Sequence, residues 1–251
     1  MYEAYRAELP SVQGYLHRIG VEDAGAPTKE NLQKLITAHV KTVPFENLTI
    51  VRDGAVPDLT VEALYRKIVE RRRGGWCFEL NGLFYALLLA LGYDARPIGA
   101  RVMLRHPQEA GPVDHRATVV RLENREYLAD VGFGATLSFY PVPLDGTPTP
   151  DGLWVEREGA WLRLYRREQG EKRLLLLLCD APCETVDFIP ANHFMATAEG
   201  SHFRKNVIVN LRTETGRKGL VGNTYTETGC DPMEVPDGDM CRLLKEKFGL
   251  E

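Results

Sequence analysis

The sequence predicts an α+β protein made of three successive parts: a helical part, an antiparallel sheet or barrel, and a mixed C-terminal part. Apolar residues recur at helical spacing up to about residue 92. From about residue 94 to 178, short runs of strand-forming residues alternate with turn signals. The 251 residues are 44% apolar and 26% charged, which suffices to bury a sizeable core.

Four helices are predicted in the first part. Their apolar residues recur three or four positions apart, Thr28 and Thr60 are N-cap candidates, Pro44 interrupts the second helix, and Gly92 ends the fourth. The predicted helices cover residues 8–20, 31–43, 61–72 and 78–92.

The strands that follow are short and suit an antiparallel sheet or barrel. Turn signals separate them, for example ENRE near Asn124. The predicted strands cover residues 95–104, 115–123, 125–133, 153–167 and 173–179. In the last part, residues 202–213 and 216–228 resemble a hairpin, and 239–249 resemble a terminal helix.

Composition excludes several classes of protein. The net charge of −4 and pI near 5.9 do not indicate a surface for nucleic acid, and no apolar run reaches the length of a membrane span. The N-terminus lacks the layout of a signal peptide, and five scattered cysteines suit a reducing compartment. Cys179 and Cys183 lack the further ligands of a zinc site. We therefore expect a cytoplasmic protein without a metal; its oligomeric state cannot be read from the sequence.

Cys77 stands where a tight turn meets the start of the fourth helix. The stretch RRRGGWCFELNG places two glycines and a tryptophan before it. The positive end of a helix favours a thiolate over a thiol, so this position can make a nucleophile. A buried structural cysteine is the alternative interpretation.

A nucleophilic cysteine needs a base and a group that orients the base. Of six histidines, His115 directly precedes the apolar strand ATVV, and Asp130 ends the next strand. Folding HRATVVRLENREYLAD into a hairpin near Asn124 brings both residues to the same end of two adjacent strands. The predicted arrangement is a Cys-His-Asp triad at the junction of the helical and β parts.

In the order and spacing of these elements the chain resembles the arylamine N-acetyltransferases. The resemblance rests on RGGWCFELN (73–81), on His115 and on DVGFG (130–134), with VPFENL (43–48) and YLHRIG (15–20) in support. It is close over residues 15 to about 135. It implies a helical bundle (1–92) with the nucleophile, a β-barrel (93–181) with His and Asp, and an α/β lid (182–251).

The resemblance also implies a function. Cys77 would accept an acetyl group from acetyl-coenzyme A, a co-substrate, and pass it to an arylamine or arylhydrazine in a ping-pong reaction, with His115 as base and Asp130 orienting it. No metal or tightly bound cofactor is implied. Arg73 and Glu46 would form a structural ion pair, and Asn81 would support the triad.

Substrate contacts follow from the same resemblance. An aromatic acceptor pocket suits a flat arylamine; glycine backbone next to it permits close approach of the coenzyme. The acceptor residues are expected to be Phe45, Val102, Asp114, Phe133 and Phe203. The coenzyme residues are expected to be Gly132, Phe133 and Gly134.

Two features depart from the family pattern and leave alternatives open. Asp114 precedes His115, where a small hydroxyl residue is common, and adds negative charge at the cleft. The chain also ends some 20 to 30 residues earlier than many relatives, which bears on the acyl donor. Besides a detoxifying acetyltransferase, an amide synthase that closes a macrolactam from a carrier-protein-bound acyl chain, a triad cysteine hydrolase and a catalytically silent binding module remain open.

Overall fold

The computed structural model describes residues 2–104, 111–134, 138–181 and 183–250. The N-terminal part is helical, as the apolar spacing predicts. Ser11 and Thr28 cap its first two helices: their hydroxyl oxygens accept the N–H groups of Gly14 and Asn31 at 3.0 and 3.2 Å. The elements in chain order are α1 (Val12–Arg18), α2 (Lys29–Thr42), β1 (Phe45–Glu46), α3 (Leu48–Val51), α4 (Val61–Tyr65) and α5 (Cys77–Ala90).

The third predicted helix, residues 61–72, is helical to Glu70, two residues short of the prediction, and its second half is of a different type. The α-helical hydrogen bonding ends at Tyr65, and Arg66–Glu70 form a π-turn in which the N–H of Arg71 donates to the carbonyl of Arg66. The wider turn leads the chain toward Cys77.

The central part is a seven-stranded antiparallel sheet. Its spatial order is β5-β4-β3-β2-β8-β7-β6, and the edge strands β5 and β6 lie next to each other, so the sheet forms a nearly closed barrel. The strands are β2 (Asp94–Val102), β3 (His115–Leu122), β4 (Arg125–Ala129), β5 (Val142–Pro143), β6 (Leu153–Glu158), β7 (Trp161–Glu168) and β8 (Glu171–Cys179).

Strands β3 and β4 form the predicted hairpin. Leu122 pairs with Arg125 across a turn in which Glu123 is left-handed, with φ of 54°. The strand predicted to continue to residue 133 ends at Ala129 instead. The Asp130 carboxylate accepts the N–H of Gly132 at 2.9 Å, a local turn that competes with the sheet.

The C-terminal part combines helices with a five-stranded sheet in the order β1-β9-β10-β11-β12. The hairpin over 202–213 and 216–228 is wrong at its start: residues 202–205 are helical, and only the later residues pair as strands. The elements are α6 (Phe188–Thr197), α7 (His202–Lys205), β9 (Ile208–Arg212), β10 (Arg217–Val221), β11 (Thr224–Glu227), β12 (Met233–Glu234) and α8 (Met240–Phe248).

Strand β1 belongs to the N-terminal part of the chain but pairs with the sheet of the C-terminal part. It lies between α2 and α3, yet Phe45 pairs with Asn210 of β9. The described residues contain three buried apolar clusters, centred on the helices, the barrel and the β9–β11 sheet with α8. The boundaries at 92/93 and 181/182 remain our proposal, and Pro182 lies outside the described residues. Within the described ranges no helix is both long and apolar enough to cross a membrane.

Candidate active site

Cys77 is the first residue of α5 and is 4% exposed. The turn before it lies against β1: the N–H of Gly75 donates to the Pro44 carbonyl at 3.3 Å, and the Gly75 carbonyl accepts the N–H of Glu46 at 2.9 Å. A side chain on Gly74 would meet the Pro44 oxygen at 2.0 Å, so only glycine fits there. The two glycines therefore let the turn approach β1 and fix the start of the helix.

Two buried carboxylates hold this turn. Glu46, fully buried, accepts hydrogen bonds from Arg73 at 2.8 and 3.1 Å and from the Leu48 N–H at 2.6 Å. Glu79 accepts the Trp76 N–H at 3.1 Å and pairs with Lys67 at 2.8 Å. Burial raises the pKa of Glu79, and Lys67 opposes this shift. The Arg73–Glu46 pair is expected from the sequence, whereas the contact of Lys67 is not, because its position within a helix carries no signal.

Arg18 of α1 also stabilises the turn before Cys77. Its guanidinium donates to the carbonyls of Ile68, Thr42, Arg72 and Arg73 at 2.9 to 3.4 Å. Arg72 has a left-handed backbone, with φ of 53°, which is unfavourable for a non-glycine residue. These hydrogen bonds stabilise that conformation.

His115 and Asp130 meet at one end of the β3–β4 hairpin. His115 Nε2 lies 2.7 Å from Asp130 Oδ2, and the imidazole is 2% exposed. Burial lowers the pKa of His115, but the charge and hydrogen bond of Asp130, with a smaller contribution from Cys77, outweigh it and raise the pKa to about 10. This shift favours the protonated imidazole at neutral pH. A protonated imidazole beside the thiol stabilises negative charge on sulfur.

Asn81 connects the helix to the hairpin. Its Nδ2 donates to Asp130 Oδ1 at 2.9 Å and to the carbonyl of Arg116, and its Oδ1 accepts the Val131 N–H at 2.9 Å. One turn beyond Cys77, this side chain therefore orients the carboxylate that orients His115.

Aromatic side chains lie beside the imidazole and around Trp76, the residue before Cys77. The ring centroid of Phe133 lies 5.2 Å from that of His115, edge to face. Phe203 lies 6.3 Å from Phe45 and 5.3 Å from Trp76. Trp76 was not among the predicted pocket residues, although it stands in the quoted motif.

Asp114 presents two groups in different directions. Its carbonyl oxygen lies 3.8 Å from the Cys77 sulfur, whereas its carboxylate accepts the Val102 N–H at 2.8 Å, at the end of β2. Burial raises the pKa of Asp114, and the hydrogen bond from Val102 partly offsets this. Strand β3 begins at His115, so Asp114 lies just before the strand, yet its carboxylate turns to β2. Acceptor contacts of Val102 and Asp114 remain predictions.

The two glycines predicted to contact the coenzyme have different surroundings. Gly132 faces α5: a side chain there would meet the Cys77 Cα at 2.8 Å. Gly134 is left-handed, with φ of 64°, and its open side lies 3.8 Å from the Phe45 ring. Gly134 thus lies beside the aromatic groups, and the coenzyme role of both glycines remains a prediction. Among the described residues no cluster of His, Cys, Asp and Glu could hold a metal ion.

The geometry defines a class of site: a thiol at a helix start, an imidazole, and a carboxylate that orients it, which is the arrangement of cysteine nucleophiles. The family model for N-acetyltransferases matches residues 28–251. The arylamine N-acetyltransferase / N-hydroxyarylamine O-acetyltransferase of Salmonella typhimurium is 31% identical over 250 residues, which cover 95% of this chain and 88% of that protein.

Solved structures agree with this match. The Salmonella typhimurium arylamine N-acetyltransferase superimposes with a TM-score of 0.89, at 30% identity, over 97% of this chain and 92% of the other. The Mycobacterium marinum enzyme in complex with CoA gives a TM-score of 0.88, at 28% identity, over 96% and 93%. The chain therefore belongs to the arylamine N-acetyltransferase family.

Proposed function

We propose that this protein transfers an acetyl group from acetyl-coenzyme A to the nitrogen of an arylamine or arylhydrazine, through an acetyl-Cys77 intermediate. The observation that carries the proposal is the bond between His115 Nε2 and Asp130 Oδ2 beside a thiol at the start of α5. The names of the related proteins support the acceptor class, and the related structure with CoA supports the donor.

In the first half-reaction the Cys77 sulfur attacks the thioester carbonyl. A carbon–sulfur bond forms to Cys77, the bond to the coenzyme sulfur breaks, and the leaving thiolate takes a proton from His115. The N–H groups of Glu79 and Leu80 already donate to the Trp76 carbonyl, so we assign stabilisation of the oxyanion to the backbone N–H of Cys77 at the start of α5. Exchange of one thioester for another is nearly neutral in free energy.

In the second half-reaction the amine nitrogen attacks the acetyl carbon of acetyl-Cys77. The nitrogen loses a proton to His115, the carbon–sulfur bond breaks, and the Cys77–His115 pair returns to its starting state. Asp130 holds the imidazole in one orientation through both steps, and Asn81 holds Asp130. Phe45, Phe133 and Phe203 are the aromatic surfaces that we propose for the acceptor.

Mass spectrometry of the intact protein tests this proposal. After mixing with acetyl-coenzyme A, we expect one added acetyl group, located on Cys77 by peptide mapping, and its removal by p-anisidine with formation of the amide. Cys77→Ser is the control that should acquire none. Loss of the group to water at the same rate without amine would favour a hydrolase, and no acetylation of Cys77 would overturn the proposal.

A further inference from the structure

A cavity of about 620 Å³ lies away from the thiol, between residues 5–9, helix α5 and the segment that precedes α6. None of Cys77, His115 and Asp130 lines it. Gly82, Tyr85 and Ala86 contribute one face of α5 to its wall. Neighbouring residues of a strand point to opposite sides, so Arg116 enters this wall while His115 faces the thiol.

Arg116 is a buried cation with few partners. Its side chain is 0% exposed, and its Nη2 donates to Thr185 Oγ1 at 3.4 Å. Within the part of the chain that the structure describes, its Nε and Nη1 have no hydrogen-bond partner and no carboxylate forms an ion pair with it. The guanidinium lies over the rings of Phe188 and Tyr85, with centroid distances of 4.9 and 5.7 Å.

Burying the charged guanidinium of Arg116 costs free energy unless an anion pairs with it. Burial lowers the pKa of Arg116 to about 10, which still leaves it charged at neutral pH. A buried guanidinium with unpaired N–H groups loses its hydration without full compensation. Contacts with two aromatic rings recover part of this cost. Nη1 and the second hydrogen of Nη2 form the end of the guanidinium that can donate to the two oxygens of one carboxylate.

We propose that this cavity binds a small organic monocarboxylate with an apolar body, whose carboxylate pairs with Arg116. The walls fit the apolar body, because Leu9, Val61 and Leu64 line them. A single buried cation matches one negative charge. Two carboxylates line the rim: Glu184 pairs with Arg6 at 3.2 Å, and Glu8 is exposed to solvent, which screens its charge.

Entry of the ligand requires a side-chain movement. The Arg116 side chain is shielded from solvent, and the ring of the half-buried Tyr85 lies over one face of its guanidinium. Rotation of the Tyr85 ring is the movement that would expose the N–H groups to the cavity.

Isothermal titration with hexanoate tests the proposal, and hexanamide is the neutral probe of matched shape. Neither is aromatic, so the proposed acceptor site does not favour them. We expect hexanoate to bind with a Kd of about 1 mM or below and hexanamide at least about tenfold more weakly. Arg116→Met should weaken hexanoate binding by at least about tenfold, whereas Arg121→Met, an exposed arginine on the same strand, should not change it.

Two further measurements examine the cavity without relying on Arg116→Met. Ala90→Trp adds volume at the exposed end of α5, where Ala90 lines the cavity, and should weaken hexanoate binding even if Arg116→Met fails to fold. Alkylation of Cys77 with iodoacetamide should leave hexanoate binding unchanged. The absence of binding at about 10 mM, equal binding of the two probes, or loss of binding on Cys77 alkylation would each overturn the proposal.

Discussion

Cys77 occupies the space that a side chain on Gly132 would need. An ideal Cβ on Gly132 would lie 2.8 Å from the Cys77 Cα and 2.7 Å from Asn81 Nδ2. The loop after β4 thus packs directly on the backbone of the first turn of α5, and this contact sets the distance between the helix and the hairpin.

Gly132→Ala should displace that contact. We expect the free energy of unfolding to fall by about 1 to 3 kcal/mol, since the clashing atoms include backbone. Alkylation of Cys77 by iodoacetamide should also slow, because the thiol moves from His115. Gly111→Ala is the matched control: apart from its chain neighbours, no atom of the described residues lies within 4 Å of its Cβ position. Equal urea-unfolding curves for the two variants would contradict the prediction.

Asp130→Asn should leave a folded protein whose acetylation rate is lower by about 10³ or more, because the imidazole loses the anion that orients it. The Asn81 contact to Oδ1 can persist in this variant, so the fold is preserved. Circular dichroism and the rate of amide formation measure the two effects. The control is Asp145→Asn, at an exposed carboxylate. A folded Asp130→Asn protein within tenfold of wild type would assign Asp130 to the turn alone.

Stability should depend on pH through His115. Its folded pKa of about 10 lies above the ordinary value of 6.5, so between these values the folded state binds more protons than the unfolded state. The stabilising contribution is complete below pH 6.5 and is lost as pH rises toward 10. We expect the stability difference between wild type and His115→Gln to shrink by about 1 kcal/mol or more over this window. Urea unfolding at several pH values measures it; a constant difference would disprove it.

Glu46→Gln should destabilise the protein strongly. The carboxylate is fully buried beside Arg73 and, at 3.8 Å, Lys67; its removal leaves Arg73 without its ion-pair partner, whereas Lys67 keeps Glu79. We expect a loss of about 3 to 5 kcal/mol. Glu62→Gln removes an exposed pair with Arg66 and should cost less than about 1 kcal/mol. Similar thermal unfolding of the two variants would show that Glu46 is not structurally important.

Asp114→Asn should shift the preference between acceptors. Its carboxylate lies at the end of β2, close enough to His115 to affect the pKa of Asp114. Removal of its charge should improve kcat/KM for p-aminobenzoate relative to aniline several-fold, since like charges at a partly exposed site repel by about 1 kcal/mol. An asparagine oxygen can still accept the Val102 N–H, so the fold is retained. Equal changes for both acceptors would exclude a selectivity role.

Long periodic elements could be predicted from the sequence, and short ones could not. Helix α2 carries an apolar stripe and a cap, and the β3–β4 hairpin carries alternation and a turn. Strand β1, with two residues, is too short to show a period. Helix α6 was missed because Pro190 resembles a helix breaker, although proline is tolerated in the first turn, where its missing N–H has no helical partner.

The proposed triad could be located from order and spacing because its three residues stand at the ends of elements that the sequence defines. The contacts that support these three residues could not be predicted from the sequence. Lys67 lies on a helix among other charged residues, and only the fold shows that it reaches Glu79. The direction of the Asp114 carboxylate depends on a side-chain conformation, which no sequence pattern records.

Helix α5 has almost no solvent face: eleven of its fourteen residues are buried. It contacts α4 on one side and strands β2 and β3 on another. A helix enclosed in this way leaves evolution few neutral positions, so we expect lineages of this protein to diverge least there. The turn between β6 and β7 is the opposite case, because Gly159 is exposed and its Cβ position is open. An engineered insertion, such as an epitope or a fluorescent reporter, belongs at that turn.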